Sequence, residues 1–316
     1  MYVVVDDGRC ADVHLVKKVE TGELCAIKII TPHEDYGIVD LVAIDIMTRL
    51  RHPYLLKAIK VISAKEIIPD SSNKLAIILP LGKVTLRSLI DGQALAWTSS
   101  SHFLGDGEKE CAEIMWRLST SLAFLHRHHV LHLDIRPENI ICRGHDDTFR
   151  PLLADFSQAQ YGEEIIINNI PPTNLRYYPP EVLSYPPSPY TQKGDVWSLG
   201  VVFFEMLTGQ PLFKCNNQQE IVEEIDFIRH PNDRLCYLAS VIPSQFTNAI
   251  DLLFRMLDPN PLTRIETADI CIAGFFSSRI DYILPEGGFL PTGDEGIRQD
   301  LPLEAIYNSL PVVISD

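Results

Sequence analysis

His132-Leu133-Asp134-Ile135-Arg136-Pro137-Glu138-Asn139 sets a carboxylate, a cation two residues on and an amide three residues further within one short stretch. Those groups can orient a hydroxyl, neutralise a phosphate and ligate a hard metal ion. A polar run after a helix is, taken alone, equally well a solvated turn, so its surroundings decide. Before it, Ile114, Leu118, Leu122 and Leu125 recur at helical spacing and predict an amphipathic helix over 108–129. After it, the apolar run Leu152-Leu153-Ala154 delivers Asp155, sixteen residues past Asn139, followed by Phe156 and Ser157. A carboxylate at the end of such a run is a natural Mg²⁺ ligand.

Further toward the N-terminus the rhythm is that of strands. Val3-Val4-Val5, Val13–Val16 and Leu24–Ile30 are β-rich, and Glu20-Thr21-Gly22-Glu23 turns between the last two. Gly8 sits in Asp6-Asp7-Gly8-Arg9-Cys10-Ala11-Asp12-Val13, and fifteen residues past Val13 stands Lys28 on Cys25-Ala26-Ile27-Lys28. Leu41, Ile44, Met47 and Leu50 then recur at helical spacing until His52-Pro53 ends the element. Apolar runs at 58–63 and 75–79 are strands, and Gly82 follows as a hinge. Beyond it the chain turns helical, with Asp195–Leu207 reading as a buried helix. Seven of the 22 prolines fall between 171 and 189, which predicts an extended ordered loop. The fold class is α+β: a small β-rich lobe with one helix over 1–82, a larger mainly α-helical lobe over 83–276, and an acidic, irregular tail over 277–316.

In this order the motifs resemble the eukaryotic protein kinase family over roughly residues 1–276. Gly8 matches the middle glycine of the phosphate-covering loop, Ala26 and Lys28 the V-A-I-K strand, His132, Asp134 and Asn139 the catalytic loop, and Asp155-Phe156 the D-F-G start. Tyr178-Pro179-Pro180-Glu181 looks like the A-P-E segment, Asp195-Val196-Trp197-Ser198-Leu199-Gly200 like the buried D-x-W-x-x-G helix, and Arg264 like the arginine that pairs with Glu181. The run Ile44-Asp45-Ile46-Met47 leading to Arg51-His52-Pro53 is similar to kinases of large DNA viruses.

The resemblance implies a bilobal protein kinase-like fold and a set of roles. Gly8, Val13, Ala26, Lys28, Leu79, Leu81 and Ile141 would bind the nucleotide, Leu79 as gatekeeper and Pro80-Leu81-Gly82 as the hinge. Lys28 would hold the α- and β-phosphates of ATP, Asn139 and Asp155 the Mg²⁺ ions, and Asp134 would accept or orient the substrate hydroxyl proton. Arg136 stands for the usual lysine, a planar fork in place of a point charge. Pro137-Glu138 resembles serine/threonine kinases, and Met47, Phe156 and His132 match the packed column between the lobes. The implied function is transfer of the γ-phosphate of ATP to protein Ser/Thr hydroxyls; the alternative is a pseudokinase serving as a nucleotide-binding or scaffolding module.

Departures from the family pattern sharpen the expectations. Asp6 and Ala11 replace the outer glycines of the loop, which weakens nucleotide affinity without abolishing it. Ala43, ten residues before Pro53, occupies the position of the glutamate that normally pairs with the strand lysine. Asp40 lies about 60° round the helix, Asp45 on nearly the opposite face, so Lys28 is oriented by Asp40 or by Asp155. Leu133 replaces the arginine that reads an activation-loop phosphate, and residues 158–172 hold no Ser, Thr or Tyr except Tyr161, which predicts activity independent of such a phosphate. Asn174 stands where a threonine usually contacts the catalytic aspartate, and its amide can still hydrogen-bond. His126, His128, His129 and His132 cluster at a helix end, where favourable placement against the dipole explains them better than a metal.

The 316 residues are 46% hydrophobic and 22% charged, ample for a core and unlike a disordered chain. The net charge of −15 is uneven: residues 1–82 carry −1 and residues 83–316 carry −14. Such a surface repels nucleic acid and anionic membranes and favours protein substrates whose Ser/Thr is flanked by Arg or Lys. Seven scattered cysteines, never spaced C-x-x-C, fit a reducing intracellular compartment, cytoplasmic or nuclear, and that of a host cell on the viral resemblance. No leader-like or membrane-spanning run is visible in the sequence.

Overall fold

The computed structural model describes residues 2–6, 13–30, 37–68, 74–93, 107–143, 150–167, 170, 172–215, 217–242 and 246–276. Gly8 and Cys10 of the phosphate loop, and the segment 277–316, lie outside the described residues. Strands β1 (Tyr2–Asp6), β2 (Val13–Lys18), β3 (Leu24–Ile30), β4 (Lys60–Ser63) and β5 (Leu75–Pro80) form one antiparallel sheet in the order β1-β2-β3-β5-β4. Helix α1 (Gly37–Arg49) is inserted between β3 and β4. Alternation along β3 decides which groups face the cleft. Cys25, Ile27 and Ile29 pack with Val16, Ala76 and Ile78 on one face, leaving Ala26, Lys28 and Ile30 on the other.

The short strand β6 (Val84–Thr85) and helices α2 (Leu86–Gln93) and α3 (Gly107–Arg127) begin the helical lobe. Strands β7 (Val130–Leu131), β8 (Ile140–Arg143), β9 (Arg150–Leu153) and β10 (Gln160–Tyr161) then bracket the segments that carry Asp134 and Asp155. β6, β8 and β9 make one small sheet, and β10 pairs with β7. A third pair joins β11 (Glu164–Ile165) to β12 (Tyr190–Thr191), with helix α4 (Pro180–Leu183) between them. The proline-rich stretch is therefore not simply extended. Residues Pro172–Tyr177 form a 3₁₀ segment and α4 makes one turn, because Pro172 and Pro180 occupy first-turn positions, where a missing N–H leaves no bond unmade.

Helix α5 (Gln192–Thr208) is the axle of this lobe, with every residue from Gly194 to Leu207 buried. Thr191 Oγ1 accepts from the Lys193 N–H at its start, and Gly209, at φ 65°, closes its end in the left-handed conformation that glycine adopts freely. A side chain at Gly194 would meet the Tyr190 ring at 2.6 Å, so glycine is what lets β12 cross the helix. Helices α6 (Gln218–Phe227), α7 (Pro231–Val241), α8 (Thr247–Met256) and α9 (Thr267–Cys271) complete the lobe. Its core is continuous with α1 through Ile44, Met47 and Leu50. No described helix is long and apolar enough to cross a membrane.

His52 lies buried where the lobes meet, its ring 5.1 Å from that of Phe124 and its Nδ1 accepting from the Tyr54 N–H. Burial pulls its imidazole from 6.5 to about 4. The folded state therefore holds the neutral form, and stability rises with pH between about 4 and 6.5 and is lost below. Urea titrations at pH 7 and pH 4 are expected to differ by about 3 kcal/mol through this residue alone, and His52→Phe to flatten that difference. Equal pH slopes in wild type and variant would remove His52 as the cause.

Candidate active site

A cavity of about 710 Å³ opens between the β-sheet and the helical lobe. Val13, Ala26 and Lys28 line it from β2 and β3, and Leu79 and Leu81 from β5 and the hinge. Ile141, Asn139, Asp155 and Arg136 close it from the other lobe. Gly82 approaches so near Ile141 that an added Cβ would lie 2.3 Å from its side chain. The walls are apolar around a few polar groups, the usual composition of a nucleotide-sized ligand site.

Lys28 Nζ donates to Asp155 Oδ1 at 2.6 Å, and Ala43 of α1 lies buried on the cavity wall with no group to offer. Of the two partners expected for Lys28, Asp155 is the one in contact, while the Asp40 side chain falls outside the described residues. Asp155 sits at φ 57°, ψ 76°, a left-handed conformation aspartate tolerates, and its carboxylate accepts from the Ser157 N–H. Burial alone would raise its pKa, but the Lys28 ammonium and the Ser157 bonds outweigh that and hold the carboxyl below its ordinary value. Phe156 is buried beside His132, ring centroids 5.3 Å apart, and Met47 belongs to the same core.

The loop carrying Asp134 is held from beneath by Asp195. Its Oδ2 accepts from the His132 N–H at 2.9 Å and its Oδ1 from the Leu133 N–H at 3.0 Å. The Tyr190 hydroxyl and His126 Nε2 complete the set at 2.7 and 2.9 Å. Leu133 takes φ 66°, a conformation unfavourable for a leucine, and the two bonds to Asp195 offset that strain. Burial would push the Asp195 carboxyl up, yet His126 and the loop amides bring it below the usual range. Asp134 itself accepts from the Asn139 amide at 2.7 Å and from the Asn174 amide at 2.8 Å, with Arg136 Nε 3.3 Å away. Asn174 thus contacts the carboxylate from the place where a threonine was expected.

Glu181 and Arg264 form a two-pronged buried ion pair at 2.8 and 2.9 Å, and the Arg264 guanidinium lies 5.0 Å from the centre of the Trp197 ring. The four histidines do not converge: His126 binds Asp195 and Thr267, His132 faces the Ala154 carbonyl, His129 meets Glu163, and His128 packs on Phe124. Among the described residues no cluster of three His, Cys, Asp or Glu side chains suits a metal.

Two arrangements escaped sequence reasoning. Arg87 on α2 donates to Glu138 at 2.9 Å, Tyr177 at 2.7 Å and Glu205 at 2.6 Å, linking the catalytic loop to α5. Burial raises the Glu205 carboxyl and Arg87 only partly reverses it. A single glutamate inside the apolar run Val201–Leu207 was the available signal, since a buried carboxylate needs a cation. The second is Asp45, whose Oδ2 accepts from the Tyr161 hydroxyl at 2.6 Å. Burial and this carboxylate together raise the Tyr161 pKa.

A family model described as the protein kinase domain matches residues 3–276. The chain is 35% identical over 214 residues to a putative ribosomal protein S6 kinase alpha-2 of Caenorhabditis elegans, covering 61% of this chain and 27% of that protein. It is 29% identical over 267 residues to the mitosis inducer protein kinase cdr1 of Schizosaccharomyces pombe, covering 83% and 39%. With CBL-interacting serine/threonine-protein kinase 7 of Arabidopsis thaliana the figures are 27% over 288 residues, 87% and 59%. The chain thus spans between about a quarter and three fifths of the length of these relatives. In fold it is similar to a chain of the yeast RNA Pol II CTD kinase CTDK-1 complex, with TM-score 0.68, 20% identity, and 87% and 92% of the two chains covered. A sheet-and-helix cleft lined by Lys28, Asn139 and Asp155, with Asp134 bonded to Asn139 beside it, matched by the domain model across both lobes, places this chain in the protein kinase family.

Proposed function

We propose that the chain is a serine/threonine protein kinase that uses Mg²⁺ and ATP. The observation that carries this reading is that the polar groups of the cleft stay together although their usual helix partner is gone: Lys28 is paired to Asp155, and Asp134 is held by Asn139 and Asn174. A scaffold has no physical need to keep Lys28, Asp134, Asn139 and Asp155 together. The apolar walls suit adenine, and the backbone of Pro80-Leu81-Gly82 can meet its edge. Asp134, fixed by two amides, is placed to orient an incoming hydroxyl and take its proton, and Arg136 beside it puts positive charge near the transferred group. The amide oxygen of Asn139 and the carboxylate of Asp155 are hard donors on the same cavity and would hold Mg²⁺, which supplies charge neutralisation of the phosphates.

Two finer features belong to the proposal. Activation-loop phosphorylation is dispensable, because buried Leu133 replaces the phosphate-reading arginine and the Tyr161 hydroxyl is already bonded to Asp45. Substrates carry Arg or Lys beside the acceptor, because the charge of −14 lies in residues 83–316. The pseudokinase reading draws its support from Ala43 and from a Lys28 occupied by Asp155.

The experiment is phosphotransfer from ATP by phosphatase-treated chain to Ser peptides with basic or acidic flanks, beside Asp134→Asn. Wild type is expected to prefer basic flanks, and the variant to lose about 10²- to 10⁴-fold in rate. Equal turnover by both proteins would end the enzyme reading, and a preference for acidic flanks would end the substrate reading. ATP-induced thermal stabilisation without turnover would select the nucleotide-binding scaffold.

A further inference from the structure

With Ala43 at the cavity wall, the usual cross-cleft pair cannot be what seats α1 against the rest of the site. Two residues on, about 200° around the helix, the Asp45 carboxylate is buried and divided between two partners. Oδ1 lies 3.3 Å from Arg49 one turn along, and Oδ2 accepts the 2.6 Å hydrogen bond from Tyr161. A short bond from a hydroxyl to an ionised carboxylate in a part-buried setting is among the stronger side-chain hydrogen bonds.

Where Tyr161 stands gives the bond its reach. β10 pairs with β7, Tyr161 opposite Val130, and the Gly162 N–H donates to the His129 carbonyl at 2.7 Å. β7 runs directly into His132–Asp134, and Tyr161 follows Asp155 by six residues. One hydrogen bond thus ties α1 to the strand pair whose first strand leads into Asp134 and whose second follows Asp155. On the α1 side, Ala43 and Met47 line the cavity while Asp45 holds the far face.

We propose that Asp45 and Tyr161 are positioning residues whose hydrogen bond seats helix α1 and so fixes the Ala43–Met47 wall, Lys28 and Asp155 around the nucleotide. This rests on the nucleotide-binding reading above. Loss of the clasp lets α1 swing outward, leaving Lys28 and Asp155 paired to each other but misplaced for the phosphates.

The test compares wild type, Tyr161→Phe, Asp45→Ala and the double variant, well below their melting temperatures, reading KM for ATP separately from kcat. A purely stabilising contact lowers the active fraction and hence kcat, but leaves KM unchanged. Each single variant is expected to raise KM for ATP about fivefold or more, and the double variant to match the worse single, because both remove one bond. KM within twofold of wild type in Tyr161→Phe, or single effects that multiply, would overturn the clasp. If wild type binds ATP without turnover, the enzyme reading falls while the dissociation constants of the same four proteins still decide the clasp. A wild type that binds no ATP overturns both.

Discussion

Asp155→Asn is expected to lower phosphotransfer by about 10³-fold or more while leaving the fold intact. Among the described residues the carboxylate is the hydrogen-bond partner of Lys28, at 2.6 Å, and it shares the cavity with Asn139. Asparagine keeps the shape and can still accept from the Ser157 N–H, but it removes the negative charge that pairs with Lys28 and that, on the proposed function, a divalent cation would need. Preorganised charge of this kind is worth about 10²- to 10³-fold for a single donor, and here one substitution disturbs two partners. Stability is a different matter. The side chains of Lys28 and Asp155 are 27% and 35% exposed, so water screens the pair and its contribution to folding is small, of order 1 kcal/mol or less. The pH sign follows from the lowered carboxyl: whatever the pair contributes is present above the ordinary aspartate range and is lost as pH falls through the depressed folded value. Steady-state rates with a Ser peptide, together with urea curves for both proteins, check both halves. A variant that keeps a tenth of wild-type activity would show that Asp155 is not the metal-bearing group.

The contrast between a site group that contributes little to stability and buried groups that contribute much also explains what could be read from the sequence. Lys28, Asp134, Asn139 and Asp155 were legible as candidates because their types and order follow a recognisable motif pattern whatever the packing around them, and the fold brings Lys28 to Asp155 and Asn139 to Asp134. The lobes were legible because the period changes from two in Leu24–Ile30 to about 3.6 in 108–129. Partner choice was not. The sequence turned Asp45 away from Lys28 but gave it no partner of its own, and only the β10–β7 pairing shows that it meets Tyr161, 116 residues away. Arg87 and Glu205 are 118 residues apart in the same way, and in the sequence a lone arginine gives no sign of which buried acid it serves. The proline run misled for a local reason: prolines also start helical turns, and Pro172 and Pro180 do so here.

Arg264→Ala is expected to destabilise the chain by about 3–5 kcal/mol, enough to leave a marginally stable domain partly unfolded at 37 °C. The Arg264 side chain is 0% and that of Glu181 5% exposed, so removing either partner strands a charge in the core. Arg264 also donates to the carbonyls of Lys193 and Asp258 at 2.7 and 2.8 Å, so the ion pair pins the Tyr178–Glu181 segment to the start of α5 and to the loop after α8. Lysine cannot replace it, since one ammonium cannot span both Glu181 oxygens and both carbonyls in the plane that also lies against Trp197. The origin of the effect is separable by a cycle of Glu181→Leu, Arg264→Met and the double variant in urea. Each single leaves an uncompensated buried charge; the double leaves none and loses only the two carbonyl bonds. The double is therefore expected to be less destabilised than the sum of the singles by about 2–3 kcal/mol. If instead the two effects add within about 0.5 kcal/mol, the pair is not the unit that holds this corner of the lobe, and the carbonyl bonds of Arg264 carry it alone.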